Sequence, residues 1–264
     1  MFIETGNYKS ILMTGFQRAG KSFISSVFVA DKECLILRRV FSTPGLNFTQ
    51  CVVKIIVSPE ITESYVQFNT ESNRQLCSIF EEERLDSLVY KFNRVLKQKR
   101  ESGEGIVSSE YIKIFVPPSQ LAREIIHASN LSYLVIVDTP EDTMLVQMEE
   151  INLVMFVFGS RATDINRADS KETIAGLMPL SKDILFLYNG KKLCDNENEY
   201  EDMQRDACSA VQCFEEEFTP LIKSSIIPIL GVPNMHDRKI IEVEEIFRQR
   251  LMEIVKVYFK FQNI

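Results

Sequence analysis

The chain has 264 residues, 45% of them hydrophobic, enough to bury one large core or two small ones. Its 30 basic and 37 acidic residues give a formal net charge of -7, which argues against broad, non-specific binding to nucleic acid. Six scattered cysteines without a C-x-x-C pair, and two histidines (His127 and His236), speak against zinc sites, disulfide frameworks and Ser-His-Asp hydrolysis.

In chain order, Tyr8 to Thr14 reads as a short strand, followed by a glycine-bounded loop and the start of a helix over Phe23 to Phe28. Cys51 to Val57 is a β-branched run ended by Pro59, and Tyr111 to Val116 is a second ended by Pro117-Pro118. Between them, Leu76, Ile79, Phe80, Leu85, Leu88, Val89, Phe92, Val95 and Leu96 fall at helical spacing, which predicts one or two amphipathic helices within residues 70–100. Glu101 to Gly105 breaks that pattern as an exposed loop. Further strands are expected at Tyr133 to Val137, Val154 to Phe158, Ile184 to Tyr188 and Ile226 to Leu230. Their near-continuous apolar character suits a sheet covered on both faces. The acidic stretch Asp195 to Asp202 reads as a solvated loop or helix start. Val243, Ile246, Phe247, Leu251, Ile254, Val255 and Tyr258 form one stripe in the tail, suited to packing on the sheet or to a partner or membrane surface.

No repeat or Pro/Gly/Ser-rich linker divides the chain. The expectation is one α/β domain over residues 1–264, a doubly wound, mostly parallel sheet with helices on both faces and a helical insertion at residues 60–110. Met1 is followed by Phe2-Ile3-Glu4, with no basic n-region, and no apolar run reaches membrane-spanning length. The expected location is therefore the cytoplasm.

Gly15-Phe16-Gln17-Arg18-Ala19-Gly20-Lys21-Ser22 satisfies G-x-x-x-x-G-K-[ST] between an expected strand and an expected helix, the context this phosphate-binding motif needs. Glycines at both ends let the backbone turn its N–H groups toward phosphate oxygens, and the helix N-terminus adds a favourable dipole. Lys21 would bridge the β- and γ-phosphates, and Ser22 would offer its hydroxyl to Mg²⁺, a hard cation that prefers oxygen ligands. Leu134 to Thr139 is an apolar strand ending in a carboxylate, so Asp138 occupies the position of a water-mediated Mg²⁺ ligand. These residues predict a P-loop NTPase.

With these residues in hand, the chain resembles a G domain of the dynamin superfamily. The loop Gly15 to Phe23 is similar to those of guanylate-binding proteins and atlastins, in which an arginine at the place of Arg18 acts in cis on the γ-phosphate. Gly45-Leu46-Asn47-Phe48-Thr49 resembles the family's switch I, which implies that Thr49 completes the Mg²⁺ shell and orients water; Thr43 competes for that role. The stretch before Tyr111 matches the family's long insertion. Asp138-Thr139-Pro140-Glu141 falls where the family has D-x-P-G, and Glu141 replaces a glycine whose N–H meets the γ-phosphate. After Ile184 to Tyr188 the chain continues Asn189-Gly190-Lys191-Lys192 without an aspartate in register for guanine, and Asp195 comes three residues late. Leu230-Gly231-Val232-Pro233-Asn234 looks like the family's base-contacting loop.

The resemblance implies nucleotide contacts from Gly15, Gln17, Arg18, Ala19, Gly20, Lys21, Ser22, Phe23, Asp138, Asn189, Lys191, Val232 and Asn234. It implies metal ligation by Ser22, Thr49 and Asp138, and catalysis by Arg18, Lys21 and Thr49. The expected function is binding of GTP with Mg²⁺ and slow hydrolysis to GDP, activated by dimerisation or a partner. The expected partners are a second copy across the nucleotide face or a separate helical, membrane-associated protein, and no nucleic acid. Two other classes stay open: a nucleotide-binding switch without turnover, and an ATP-dependent P-loop enzyme, for which Arg38-Arg39 is the nearest arginine pair.

Overall fold

A computed structural model describes residues 6–16, 19–42, 52–69, 74–102, 111–139, 151–159, 168–177, 184–189, 202, 205, 209 and 226–229. The elements in order are β1 (Tyr8–Gly15), α1 (Lys21–Ser26), α2 (Asp31–Ser42), β2 (Val52–Val57), β3 (Tyr65–Asn69), β4 (Arg74–Ser78), α3 (Glu82–Glu101), β5 (Tyr111–Val116), α4 (Gln120–Ala128), β6 (Tyr133–Asp138), β7 (Leu153–Gly159), α5 (Ala168–Leu177), β8 (Ile184–Asn189) and β9 (Ile226–Ile229). The chain is mixed α/β, with two compact units. One comprises residues 1–12 and 22–149, the other residues 13–21 and 150–264, and β1 passes from the first into the second.

In the first unit the strands run β4-β3-β5-β2-β6-β1. Strands β2 and β5 pair in parallel, Val52 opposite Tyr111 through Val57 opposite Val116. Strand β2 also pairs antiparallel with β6, Val53 opposite Asp138. Strand β3 is antiparallel to both β4 and β5. Every residue of β6 is buried, as a strand rich in Leu, Val and Ile with cover on both faces should be. In the second unit β7 pairs in parallel with β8, and β8 with β9.

The region 60–110, where one or two amphipathic helices are expected, holds one helix and, among the described residues, two strands as well. Leu76, Ile79 and Phe80 belong to a β4 strand and its following turn, and one helix, α3, begins at Glu82. Alternation explains the difference: Cys77 and Ile79 are buried while Leu76 and Phe80 are exposed, a period of two that competes with the helical spacing. Leu85, Val89, Phe92 and Leu96 then bury one face of α3, with Phe92 packing against Phe68 of β3 at 5.7 Å between ring centroids.

Three further helices, α2, α4 and α5, add to the expected elements. Pro117 and Pro118 close β5, and Ser119 caps α4 by accepting a hydrogen bond from the Ala122 amide at 3.3 Å. The helix ends in a Schellman motif. Asn130 takes a left-handed conformation (φ 49), its N–H meets the His127 carbonyl, and the Leu131 N–H meets the Ile126 carbonyl. That turn feeds directly into β6, which carries Asp138.

Candidate phosphate-binding site

Strand β1 ends at Gly15, where φ is +121. A Cβ at this position would lie 2.0 Å from the Val157 carbonyl oxygen of β7, so both the conformation and the packing require glycine. The next residue is fixed by the same carbonyl, since the Phe16 amide donates to Val157 O at 3.0 Å. The Phe16 ring stands edge-on to Phe156, with centroids 5.8 Å apart. The loop then turns back, with the Ala19 amide donating to the Phe16 carbonyl at 3.2 Å. Gly20 takes a second positive φ, 95, before α1 begins at Lys21.

Lys21 is 7% exposed, and its ammonium donates to the carbonyls of Gly15 and Phe16, both at 2.9 Å. A buried ammonium needs acceptors, and the loop supplies them from its own backbone. The positive charge is thereby held within the glycine-framed turn. Because α1 has six residues, its macrodipole adds less to anion attraction than the expected longer helix would.

In the first unit, Ser22 donates its hydroxyl to Asp138 Oδ2 at 2.7 Å. Asp138 is 1% exposed and its neighbour Thr139 is 2% exposed. The register that sets Asp138 opposite Val53 places the carboxylate at the end of β6. A hydroxyl and a carboxylate brought together here are a hard-oxygen pair of the kind Mg²⁺ uses, with substrate oxygens and water completing its six positions. The residues therefore fit the cation. Among the described residues no group of three or more His, Cys, Asp and Glu converges on a metal position, so this pair is the part to test.

No family model matches the sequence, and no curated protein does. Solved structures do. A chain of an oligomerised bacterial dynamin pair, described as providing a mechanism for the long range sensing and tethering of membranes, aligns with a TM-score of 0.50 and 13% sequence identity over 97% of this chain. The fold is dynamin-like. A second chain of the same description aligns with a TM-score of 0.47 and 13% identity over 98% of this chain. The dynamin-like chain spans 37% of the length of each of these structures.

Of the site residues expected from sequence, the dynamin-like fold brings Gly15, Ala19, Gly20 and Lys21 into one turn and joins Ser22 to Asp138. Phe23 lies on α1, and Asn189 closes β8 in register with Gly159 and Ile229. Gln17, Arg18, Thr43, Thr49, Glu141, Lys191, Val232 and Asn234 lie outside the described residues. Sequence reasoning did not single out Val157. Its carbonyl shapes the loop through backbone atoms, and backbone atoms leave no mark on residue identity.

Proposed function

We propose that the chain binds a nucleoside triphosphate, GTP foremost, together with Mg²⁺, and hydrolyses it slowly, with activation by a second copy or another partner. The observation that carries this reading is the buried Lys21 ammonium held against Gly15 and Phe16 inside a turn that glycines alone can make. Lys21 would exchange two neutral carbonyls for β- and γ-phosphate oxygens, and charge-assisted hydrogen bonds are about twice as strong as neutral ones. Ser22 donates its proton to Asp138, which leaves its lone pairs for the cation. Asp138 would hold the cation through water. When bound, Mg²⁺ supplies neutralisation of phosphate charge.

In this reading Arg18 stabilises charge on the γ-phosphate, Thr49 positions water, and Gln17 and Phe23 complete the loop's contacts. Asn189, Lys191, Val232 and Asn234 surround the base. The chain acts as a single doubly wound G domain over residues 1–264, with residues 60–110 as its insertion, in the cytoplasm. Catalysis asks for positioning and electrostatics more than covalent chemistry.

A second reading is favoured by Glu141, which stands where the resemblance has glycine, and by the lack of an aspartate in register after Asn189. It is a nucleotide-retaining switch without turnover. The two readings separate when the co-purifying nucleotide is identified by chromatography and phosphate release is timed over a range of protein concentrations. GDP, with release that rises with concentration, supports the GTPase. GTP without release supports the switch, and ATP or ADP would move the assignment to another class of P-loop protein. Calorimetry on Lys21→Ala tests what both readings share: triphosphate affinity should fall at least about a hundredfold, or about 3 kcal/mol.

A further inference from the structure

Helix α3 buries Leu85, Val89, Phe92 and Leu96 and turns Glu83, Ser87, Tyr90, Arg94 and Lys97 to solvent. The exposed positions recur at alternating steps of four and three, the spacing of a seam that meets another helix. Tyr90 stands mid-helix with 60% exposure. Glu82, Glu83 and Asp86 precede Tyr90, and Lys91, Arg94 and Lys97 follow it; Arg84, also ahead of Tyr90, is tied to Glu81 at 2.8 Å, and Glu101, at the far end, lies 3.8 Å from Lys97.

A single helix favours acids in its first turn and bases in its last, but that preference fades beyond those turns. It does not account for Asp86, Lys91 or Arg94, nor for an exposed tyrosine between the two charge blocks. An antiparallel copy of the same helix accounts for Asp86, Arg94 and the tyrosine. Reversal about Tyr90 sets Glu83 opposite Lys97 of the second copy and Asp86 opposite Arg94, each pair occurring twice, with the two tyrosines at the dyad. We propose that the exposed face of α3 is an isologous interface between two copies of this chain.

The nearby sheet edge is a poorer candidate. Strand β4 is outermost in its unit, but the Leu76 carbonyl accepts from Arg84 at 3.2 Å, which blocks strand addition there. Among the described residues the helix face carries no such block. Lys97 has an exposed contact with Glu101 at 3.8 Å, a pair worth little and readily exchanged. One helix face about 30 Å long falls at the low end of interface sizes, under about 1,200 Å². The dimer is therefore weak and reversible, with a dissociation constant on the order of tens of micromolar, and it loosens with salt. It needs no nucleotide.

Sedimentation equilibrium on the full chain without nucleotide tests this. The wild type and Lys21→Ala should dimerise alike as concentration rises to several hundred micromolar. Glu83→Lys and Lys97→Glu, both at exposed positions, should each be monomeric, because each places like charges together twice. Mixed in equal amounts they should dimerise, since both cross-pairs regain opposite charge. Tyr90→Ala should weaken association about tenfold. A wild type that stays monomeric throughout overturns the proposal. So do single variants that dimerise like the parent, and a mixture that stays monomeric.

Discussion

The phosphate loop and the exposed face of α3 handle charge in opposite ways. The loop buries one ammonium and ties it to two carbonyls of its own backbone. The α3 face spreads its charges over an exposed surface, where Lys97 makes a local contact with Glu101 at 3.8 Å. A fixed charge costs desolvation in advance and gives a large effect when an anion takes it up; a solvated charge contributes a few tenths of a kcal/mol and is readily re-paired. On the readings proposed above, one region suits a tight ligand and the other a weak surface.

The largest effect should come from the loop. Gly15→Ala places a Cβ on the Val157 carbonyl at a positive φ. It should lower stability by roughly 3–5 kcal/mol, measured as a fall in urea midpoint, and abolish nucleotide binding. Unchanged stability would mean that the Gly15 turn is not shaped as described. Next in size, Lys21→Ala should remove triphosphate affinity by about 3 kcal/mol in calorimetry, while its thermal midpoint moves by a few degrees at most. Parity of the two changes would erase the contrast between a ligand-directed and a structural charge.

Asp138→Asn sharpens the comparison further. The amide oxygen can still accept from Ser22, so the fold should hold, but the Mg²⁺ dependence of triphosphate binding should weaken about tenfold or more. A titration of magnesium against bound fluorescent nucleotide measures it.

Smaller effects are expected around α3. Asn93 is 6% exposed, and neither of its side-chain amide atoms has a hydrogen-bond partner among the described residues. Asn93→Leu should therefore stabilise the protein by about 1 kcal/mol in urea unfolding; destabilisation of that size would show that the amide has a role. Burial raises the Cys77 thiol above its ordinary range, and the Glu81 carboxylate adds to the shift. A raised folded-state pKa contributes stability below the ordinary thiol range, and that stability is lost as pH climbs through the folded value. As pH climbs above the ordinary thiol range the wild type should lose slightly more stability than Cys77→Ala, read as a larger fall in its urea midpoint.

The apolar strands were legible because they signal themselves locally. Tyr111 to Val116 agrees with β5 residue for residue, and the β6 run ends at Asp138 as its composition implies. The hairpin of β3 and β4 was not legible. Leu76, Ile79 and Phe80 satisfy helical spacing by coincidence, and pairing with β3, a tertiary decision, overrides it. At the site, the glycines and Lys21 could be placed from their spacing, and Asp138 from the strand before it. The clamp by Val157 could not, because a carbonyl oxygen is common to every residue.

That clamp also has a temporal consequence. Gly15 and Phe16 are made early in synthesis, yet the oxygen that bends them belongs to β7, whose residues emerge far later. A nascent chain on the ribosome carries the sequence of the cradle long before it has the cradle itself. On the function proposed above, capture of nucleotide waits until that distant strand has docked.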